Sequence, residues 1–349
     1  MRKSPGDSEN KGMLYDECME KFDFVALGDT TTDAFIRLSQ AEIQDSLDHS
    51  RRELCVEYGA KIPYDSVTVV PAVGNAANAA IAAARLGLTS ALITDTGDDD
   101  ASKEHLVTYK NEHVGREFIH SHPGMHTNYH YVMWYSAERT ILVKHEEYQY
   151  KLPDFGDPKW LYLTSLGSST LAYHLELEHY LMLHPSINLA FQPGTFQMSL
   201  GLEKMRYFYK RSKVFICNVE EAQKILDIKS GAKISELVEG LRAIGPKIIL
   251  ITDGPNGAYM FDGESAWFMP VYPDPKPPFE RTGAGDAFAS TFVAALALGL
   301  RPEEALRWAP INSMSVVQYI GAREGLLTLP KLKKYLEEAP KEYVPLKLH

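Results

Sequence analysis

Thr282-Gly283-Ala284-Gly285-Asp286-Ala287-Phe288 opens a run of small helix-forming residues and brings together three features that serve chemistry on an anion. Two glycines let the backbone come close to a ligand. The first N–H groups of a helix have no carbonyl partners and sit at the positive end of its dipole, so they hold negative charge. Asp286 inside that anion site is the unusual member. Its carboxylate can take a proton from an attacking hydroxyl while the neighbouring amides hold a transferring phosphoryl group. From the pattern alone, an Asp that merely offsets the dipole at a helix start serves as well.

Three other turns carry polar groups in useful combinations. Thr252, Gly254 and Gly257, in the segment ITDGPNG after an apolar run, offer a hydroxyl and two permissive backbone positions to a phosphate; taken singly, the segment is a plain turn. Asn218 and Glu221, after VFIC, have a spacing that can orient Mg²⁺ through water and equally the spacing of a reciprocal helix cap. Near the start, Asp33 follows the run GDTTT and is suited to accept two hydroxyls, and Gly74, Asn75 and Asn78 open a helix with amides and two carboxamides for more.

A frame must hold these turns together. Apolar runs at 22–28, 90–94, 160–166, 187–191, 214–217 and 247–252 read as buried strands. Helical patterns lie at 76–86, 101–111, 171–183, 198–207, 220–226, 234–244, 284–298, 302–319 and 329–338. Such alternation predicts an α/β fold, a doubly wound, mostly parallel sheet with helices on both faces. Ligands of such sheets bind beyond the carboxyl ends of the strands, where the polar turns fall. Residues 114–151 differ. Segments such as TNYHYVMWY and RTILVKHEE alternate with aromatic and β-branched residues, which predicts a small projecting sheet, with about 34–68 contributing. The expected organisation is a mobile leader over 1–21, one domain over 22–340 and a tail over 341–349.

Composition narrows the function. A formal charge of -10 repels phosphate backbones and argues against nucleic acid as a partner. Cys18, Cys55 and Cys217 are odd in number and lack C-x-x-C spacing, against a disulfide framework or a cysteine zinc site. The sequence begins without a signal-peptide pattern, and no apolar stretch reaches membrane-spanning length. No membrane association and a cytoplasmic location are expected.

In this order, the motifs resemble the ribokinase family, the PfkB carbohydrate and nucleoside kinases. Glu280-Arg281-Thr282-Gly283-Ala284-Gly285-Asp286 resembles the family's D-T-T-G-A-G-D, and Val73-Gly74-Asn75-Ala76-Ala77-Asn78 its G-G-N-x-A-N. Asn218 to Glu221 matches N-x-x-E, and Thr252, Gly254 and Gly257 match T-x-G-x-x-G. With the Asp33 turn these make five motifs in order, over about 22–326, and favour the functional reading of each turn. The resemblance implies a ribokinase-like fold and transfer of the γ-phosphate of ATP to a sugar hydroxyl. Asp286 would be the base, and Gly283, Ala284 and Gly285 the anion hole. Asn218 and Glu221 would position Mg²⁺ and the phosphates, and Thr252, Gly254 and Gly257 would touch the nucleotide phosphates. Asn312 would lie near the adenine. Asp33, Gly74, Asn75 and Asn78 would bind the acceptor, and the small sheet would act as a lid and could mediate a homodimer. From the residues themselves, Arg139 and His145 in ERTILVKHEE either point into the acceptor pocket from that lid or lie on an exposed strand face. The helix dipole would lower the Asp286 pKa.

The departures are Val73 for Gly, Glu280 for Asp and Arg281 for Thr. That Asp helps bind a monovalent cation in many relatives, so Glu280 or the Arg281 charge would alter or replace the ion. Two other readings stay open: a nucleoside kinase, with Tyr129, Tyr131, Trp134 and Tyr135 stacking on a base, and a catalytically silent sugar sensor. His120, His122, His126 and His130 cluster in the projecting segment, but no acid or cysteine nearby in sequence completes a metal set. His174 and His179 read as surface residues.

Overall fold

The computed structural model describes residues 22–47, 51–136 and 138–348; the expected leader, with Cys18, lies outside the described residues. The chain opens with β1 (Phe24–Leu27), β2 (Thr31–Leu38), a hairpin of β3 (Glu42–Asp45) and β4 (Arg52–Cys55), and β5 (Tyr64–Val73). There follow α1 (Asn75–Arg85), β6 (Ser90–Gly97), α2 (Asp100–Asn111), β7 (Val114–Gly115), β8 (Ile119–His122), β9 (Tyr129–Tyr135) and β10 (Glu138–Leu142). The central part contains β11 (Trp160–Leu163), α3 (Leu171–Leu183), β12 (Asn188–Phe191), α4 (Thr195–Arg211), β13 (Val214–Asn218), α5 (Val219–Leu226), α6 (Ile234–Ile244) and β14 (Ile248–Thr252). β15 (Ala258–Phe261), β16 (Ala266–Met269), α7 (Ala284–Ala297), α8 (Pro302–Val316), α9 (Leu329–Glu337) and β17 (Leu346–Leu348) complete it.

The large sheet runs β17-β16-β15-β14-β13-β12-β11-β1-β6-β7, with β8 also on β6. From β14 to β6 neighbouring strands are parallel, and β7 and β8 add parallel to β6. The strands FVAL, WLYL and IILI are apolar at successive positions because helices cover both faces. One core packs α1, α7 and α8 against the sheet; the other packs α3 to α6. The order reverses at β1, whose neighbours β6 and β11 lead to opposite edges. A crevice therefore opens beyond the carboxyl end of β1.

Alanines set the spacing on the first face. Ala76, Ala77, Ala79, Ala80, Ala82 and Ala83 of α1 are fully buried, as are Ala289, Ala294 and Ala295 of α7. Side chains this short let α1 and α7 pack directly on each other. That contact brings the start of α1 to the start of α7.

The projecting segment divides differently from the sequence reading. β7 and β8 belong to the edge of the large sheet, and only β9 and β10 join the small sheet, ordered β10-β9-β2-β5. The run 114–122 is too short and too interrupted for alternation to reveal its partner. The expected tail also differs. β17 pairs antiparallel with β16 and closes the sheet edge, in an antiparallel extension, β15 to β17, that helix-strand alternation did not announce.

Candidate functional site

Asp286 occupies the third position of α7, inside its first turn. Asn75 Nδ2 donates to its Oδ1 and Asn78 Nδ2 to its Oδ2, both at 2.8 Å. Asn75 and Asn78, three apart at the start of α1, lie on one helix face. Both had been expected to face the acceptor. They line a cavity beside this helix start, yet their carboxamide N–H groups are directed at the carboxylate. Gln192, immediately after β12, lines the same cavity, and its side chain helps to stabilise the Asp286 carboxylate. Loss of solvation pushes the Asp286 carboxyl above the usual aspartate value, against the hydrogen bonds from Asn78, Gln192 and Asn75 and the field of Arg139. The expected lowering by the helix dipole is thus outweighed by burial.

The glycines before Asp286 do different things. Gly283 caps α7 with φ of +78°, and a Cβ there would stand 2.2 Å from Ala322 Cβ. Gly285 has ordinary φ and open space where its Cβ would be. The amides of Gly285 and Asp286 belong to the first turn and by position lack a helical acceptor.

Two cavities meet at this helix start. One, of about 500 Å³, is lined by Asp33, Gly74, Asn78, His130, Arg139 and Asp286 among others. The second, of about 340 Å³, is lined by Gly254, Gly257, Tyr272, Phe288, Ser313 and Met314. Thr252, Arg281 and Gly285 border both, so the cavities form one cleft over the amino end of α7. Asn218 and Glu221 face the larger side. They form the reciprocal cap: Asn218 Oδ1 accepts from the Glu221 amide at 2.7 Å, and Glu221 Oε2 from the Asn218 amide at 2.9 Å.

On the far wall, Asp33 Oδ1 lies 3.4 Å from His130 Nδ1. Asp33 Oδ1, His130 Nε2 and Arg139 Nε are buried without a hydrogen-bond partner among the described residues. Arg139 also stands 3.6 Å from Glu280, a buried carboxylate that accepts from the Thr282 amide at 2.7 Å and from its hydroxyl. The guanidinium beside Glu280 is therefore that of Arg139 on β10, and Arg281 is exposed at the junction of the two cavities.

Three sequence expectations are corrected. Asn312 does not reach the cleft. It is fully buried, donates to Thr291 Oγ1 and accepts from the Leu327 amide, both at 2.8 Å, while its neighbours Ser313 and Met314 line the cavity. Spacing placed the helix but not the face turned to the ligand. Asn312→Ala should accordingly cost about 1–3 kcal/mol of stability, from a buried N–H left unpaired, without changing nucleotide affinity; thermal denaturation and nucleotide titration check both. Trp134 is buried against Phe279 at 5.2 Å between ring centroids, and Tyr131 is half exposed; neither they nor Tyr129 and Tyr135 line the cleft, whereas Phe196 does. His174 is buried, with Nδ1 2.7 Å from the Thr170 carbonyl oxygen, and only His179 of that pair is exposed.

Sequence reading missed Gln192 and Phe196, and left unassigned Asp29, which lines neither cavity. Asp29 is buried after β1 and accepts from Tyr150 at 2.8 Å and from the Gly167 amide at 2.7 Å, with His145 Nδ1 at 3.0 Å. For Gln192 a usable signal existed: it immediately follows β12, at the strand end where ligands gather. Phe196 belongs to α4 and carried no motif.

The pfkB family carbohydrate kinase model matches residues 58–329. A putative sugar kinase of Pyrococcus horikoshii is 26% identical over 235 residues, covering 65% of this chain and 72% of that protein. The structure of Arabidopsis thaliana ribokinase, complexed with ribose and ATP, superposes with a TM-score of 0.75 at 18% identity, covering 91% of this chain and 99% of the other. A Burkholderia thailandensis nucleoside kinase in complex with inosine gives 0.73 at 16% identity, covering 92% and 100%. The fold is that of ribokinase, and the helix start that holds Asp286 lies inside the matched region. The chain belongs to the pfkB family of carbohydrate kinases and is a kinase of the sugar and nucleoside class.

Proposed function

We propose that this kinase transfers the γ-phosphoryl group of ATP to a hydroxyl of a sugar, with Asp286 as the base. The observation that carries the reading is the Asp286 carboxylate, held by Asn75 and Asn78 at a helix start where two cavities meet. The larger cavity would take the acceptor and the smaller one the nucleotide. Asp33, with an unpartnered oxygen, would accept acceptor hydroxyls. The hydroxyl oxygen attacks the γ-phosphorus, the bond to the β-phosphate bridge oxygen breaks, and ADP leaves. The hydroxyl proton passes to Asp286. Because the transition state is loose, positioning and charge stabilisation do most of the work. The free amides of Gly285 and Asp286 face the equatorial oxygens, and Arg139 adds positive charge nearby.

Mg²⁺ fits the acidic side of this cleft. Burial pushes the Glu221 carboxyl up, and the charges of Asp286 and Glu220 add to that shift, so the site is short of positive charge. Glu221 would hold the ion through water while keeping its cap, with Asn218 fixing the turn. Bound with ATP, Mg²⁺ supplies charge neutralisation at the phosphates. The Arg139 guanidinium beside Glu280 supports a positive charge built into the chain where many relatives take a monovalent ion. A reducing, cytoplasmic setting goes with the free thiols of Cys55 and Cys217; no helix among the described residues is long and apolar enough to cross a membrane.

A nucleoside acceptor is the second reading. Ile141, Val143 and Phe196 form an apolar wall of the larger cavity, which suits a base. ADP release with Mg-ATP across pentoses, hexoses, phosphosugars and nucleosides decides between them. Turnover confined to sugars supports the first reading and turnover confined to nucleosides the second. Ligand binding without turnover on any of them would leave a sugar sensor instead.

A further inference from the structure

Asp95 lies on β6 and is only 3% exposed. Burying a carboxylate is expensive unless partners compensate it. The partners come from β8, which pairs with β6 in the register Asp95↔His120 and Gly97↔His122. Residues two apart on a strand share a face, so both imidazoles turn the same way. His122 Nε2 lies 2.7 Å and His120 Nδ1 3.2 Å from the same atom, Asp95 Oδ1. One ligand atom from each residue falls within 4.8 Å of the others.

The set is held in place. The His122 ring stacks on Tyr148 at 4.8 Å with an interplanar angle of 18°, and the Tyr148 hydroxyl donates to the His126 carbonyl oxygen at 2.8 Å. His120 and Asp95 also border a separate cavity of about 340 Å³, with Glu117 and Lys151 on its wall. That opening leaves room for a fourth ligand, a water or the Glu117 carboxylate. None of the three residues lines the kinase cleft.

We propose that Asp95, His120 and His122 form a binding site for a divalent transition-metal ion of the Zn²⁺ type. Two imidazoles and one carboxylate suit such an ion and are a poor set for Mg²⁺ or Ca²⁺, which prefer all-oxygen shells. Ligand atoms about 2.0–2.2 Å from a tetrahedral ion stand roughly 3.3–3.6 Å apart, so His122 must retreat from Asp95 by somewhat under an ångström while the set, already within 4.8 Å, settles to that spacing. The ion would fasten β8 to β6. Since β9 begins seven residues after His122, it would anchor the strand from which the small sheet departs. The role is structural and independent of the proposed phosphoryl transfer.

The test uses the untagged full chain, stripped with a chelator and titrated with Zn²⁺ and with Co²⁺. One equivalent should bind, Co²⁺ should give the visible d–d absorption of a four- or five-coordinate site, and Zn²⁺ should raise the melting temperature. His120→Ala, at a half-exposed position, and Asp95→Asn should each weaken binding by roughly 100-fold or more, beyond what loss of a supporting outer-sphere partner costs. His126→Ala should bind like wild type. Far-UV circular dichroism checks that each variant is folded. A stripped wild-type protein that takes up no Co²⁺ would overturn the proposal, leaving a buried carboxylate hydrogen-bonded to two histidines. A Co²⁺ spectrum that survives in folded His120→Ala would overturn it equally.

Discussion

Asp286→Asn should lower kcat by about 10²- to 10⁴-fold while nucleotide and acceptor still bind. The isosteric amide keeps the shape of the helix start and its anion-holding amides but cannot take the hydroxyl proton. The residual rate is what positioning and charge stabilisation deliver alone. Steady-state kinetics on the acceptor found by the substrate survey, with equilibrium binding beside it, measure both. A variant with near-normal kcat would remove Asp286 from the chemistry. The wild-type pH profile carries the same signature. As the proposed base Asp286 must be ionised to act, and burial raises its pKa above that of an ordinary aspartate. The acid limb of kcat/KM should therefore lie above that of an ordinary aspartate and be absent in the variant. The sign for stability is opposite. A raised folded-state pKa favours the protonated form, so this contribution is present below the unfolded pKa and lost as pH rises through the folded one. The uncharged Asn escapes that loss but turns its own N–H₂ group toward one of the two donors, Asn75 or Asn78, which costs about 1 kcal/mol, so at neutral pH Asp286→Asn should melt close to wild type.

Gly283→Ala and Gly285→Ala, two residues apart, should fail in different ways. At Gly283 the left-handed backbone costs an ordinary residue about 1–3 kcal/mol, and the contact at 2.2 Å with Ala322 adds an overpacking cost of about 1–3 kcal/mol. The melting temperature and the activity should drop together. At Gly285 the backbone is ordinary and the space beside it open, so stability should stay near wild type. The added methyl would instead project where the proposed mechanism brings phosphate oxygens to the first turn, and a misplacement of about 1 Å can cost roughly 10²-fold in rate. Thermal melts alongside kcat/KM separate the two. A Gly285→Ala enzyme of full activity would take the phosphate away from this turn.

Much of this arrangement was legible because it is local. Strand and helix alternation gave the parallel sheet, and each motif at a strand end landed on the cleft. Asn75 and Asn78 were legible as cleft residues but not as partners of Asp286. Their distances from it in sequence, 211 and 208 residues, are bridged only by the packing of alanines in α1 and α7. Asn312 shows the complementary limit. Its helix was located correctly, and one residue of rotation separates a buried structural amide from the cavity wall. The histidines on β8 looked partnerless for the same reason. Asp95 stands 25 and 27 residues away and meets them only through strand register.

The cleft is assembled from two separately built pieces. Asp286, Asn75, Asn78 and Gln192 ride on the large sheet and its helices, whereas Asp33, His130 and Arg139 ride on β2, β9 and β10 of the small one. Heredity can therefore edit them apart. Substitutions on the small sheet, Arg139 apart, would repaint the wall proposed for the acceptor and leave the helix start of Asp286 as it was. A lineage carrying this architecture could move among sugars and nucleosides by small steps on β2, β9 and β10 alone, and the clues to its diet would lie there.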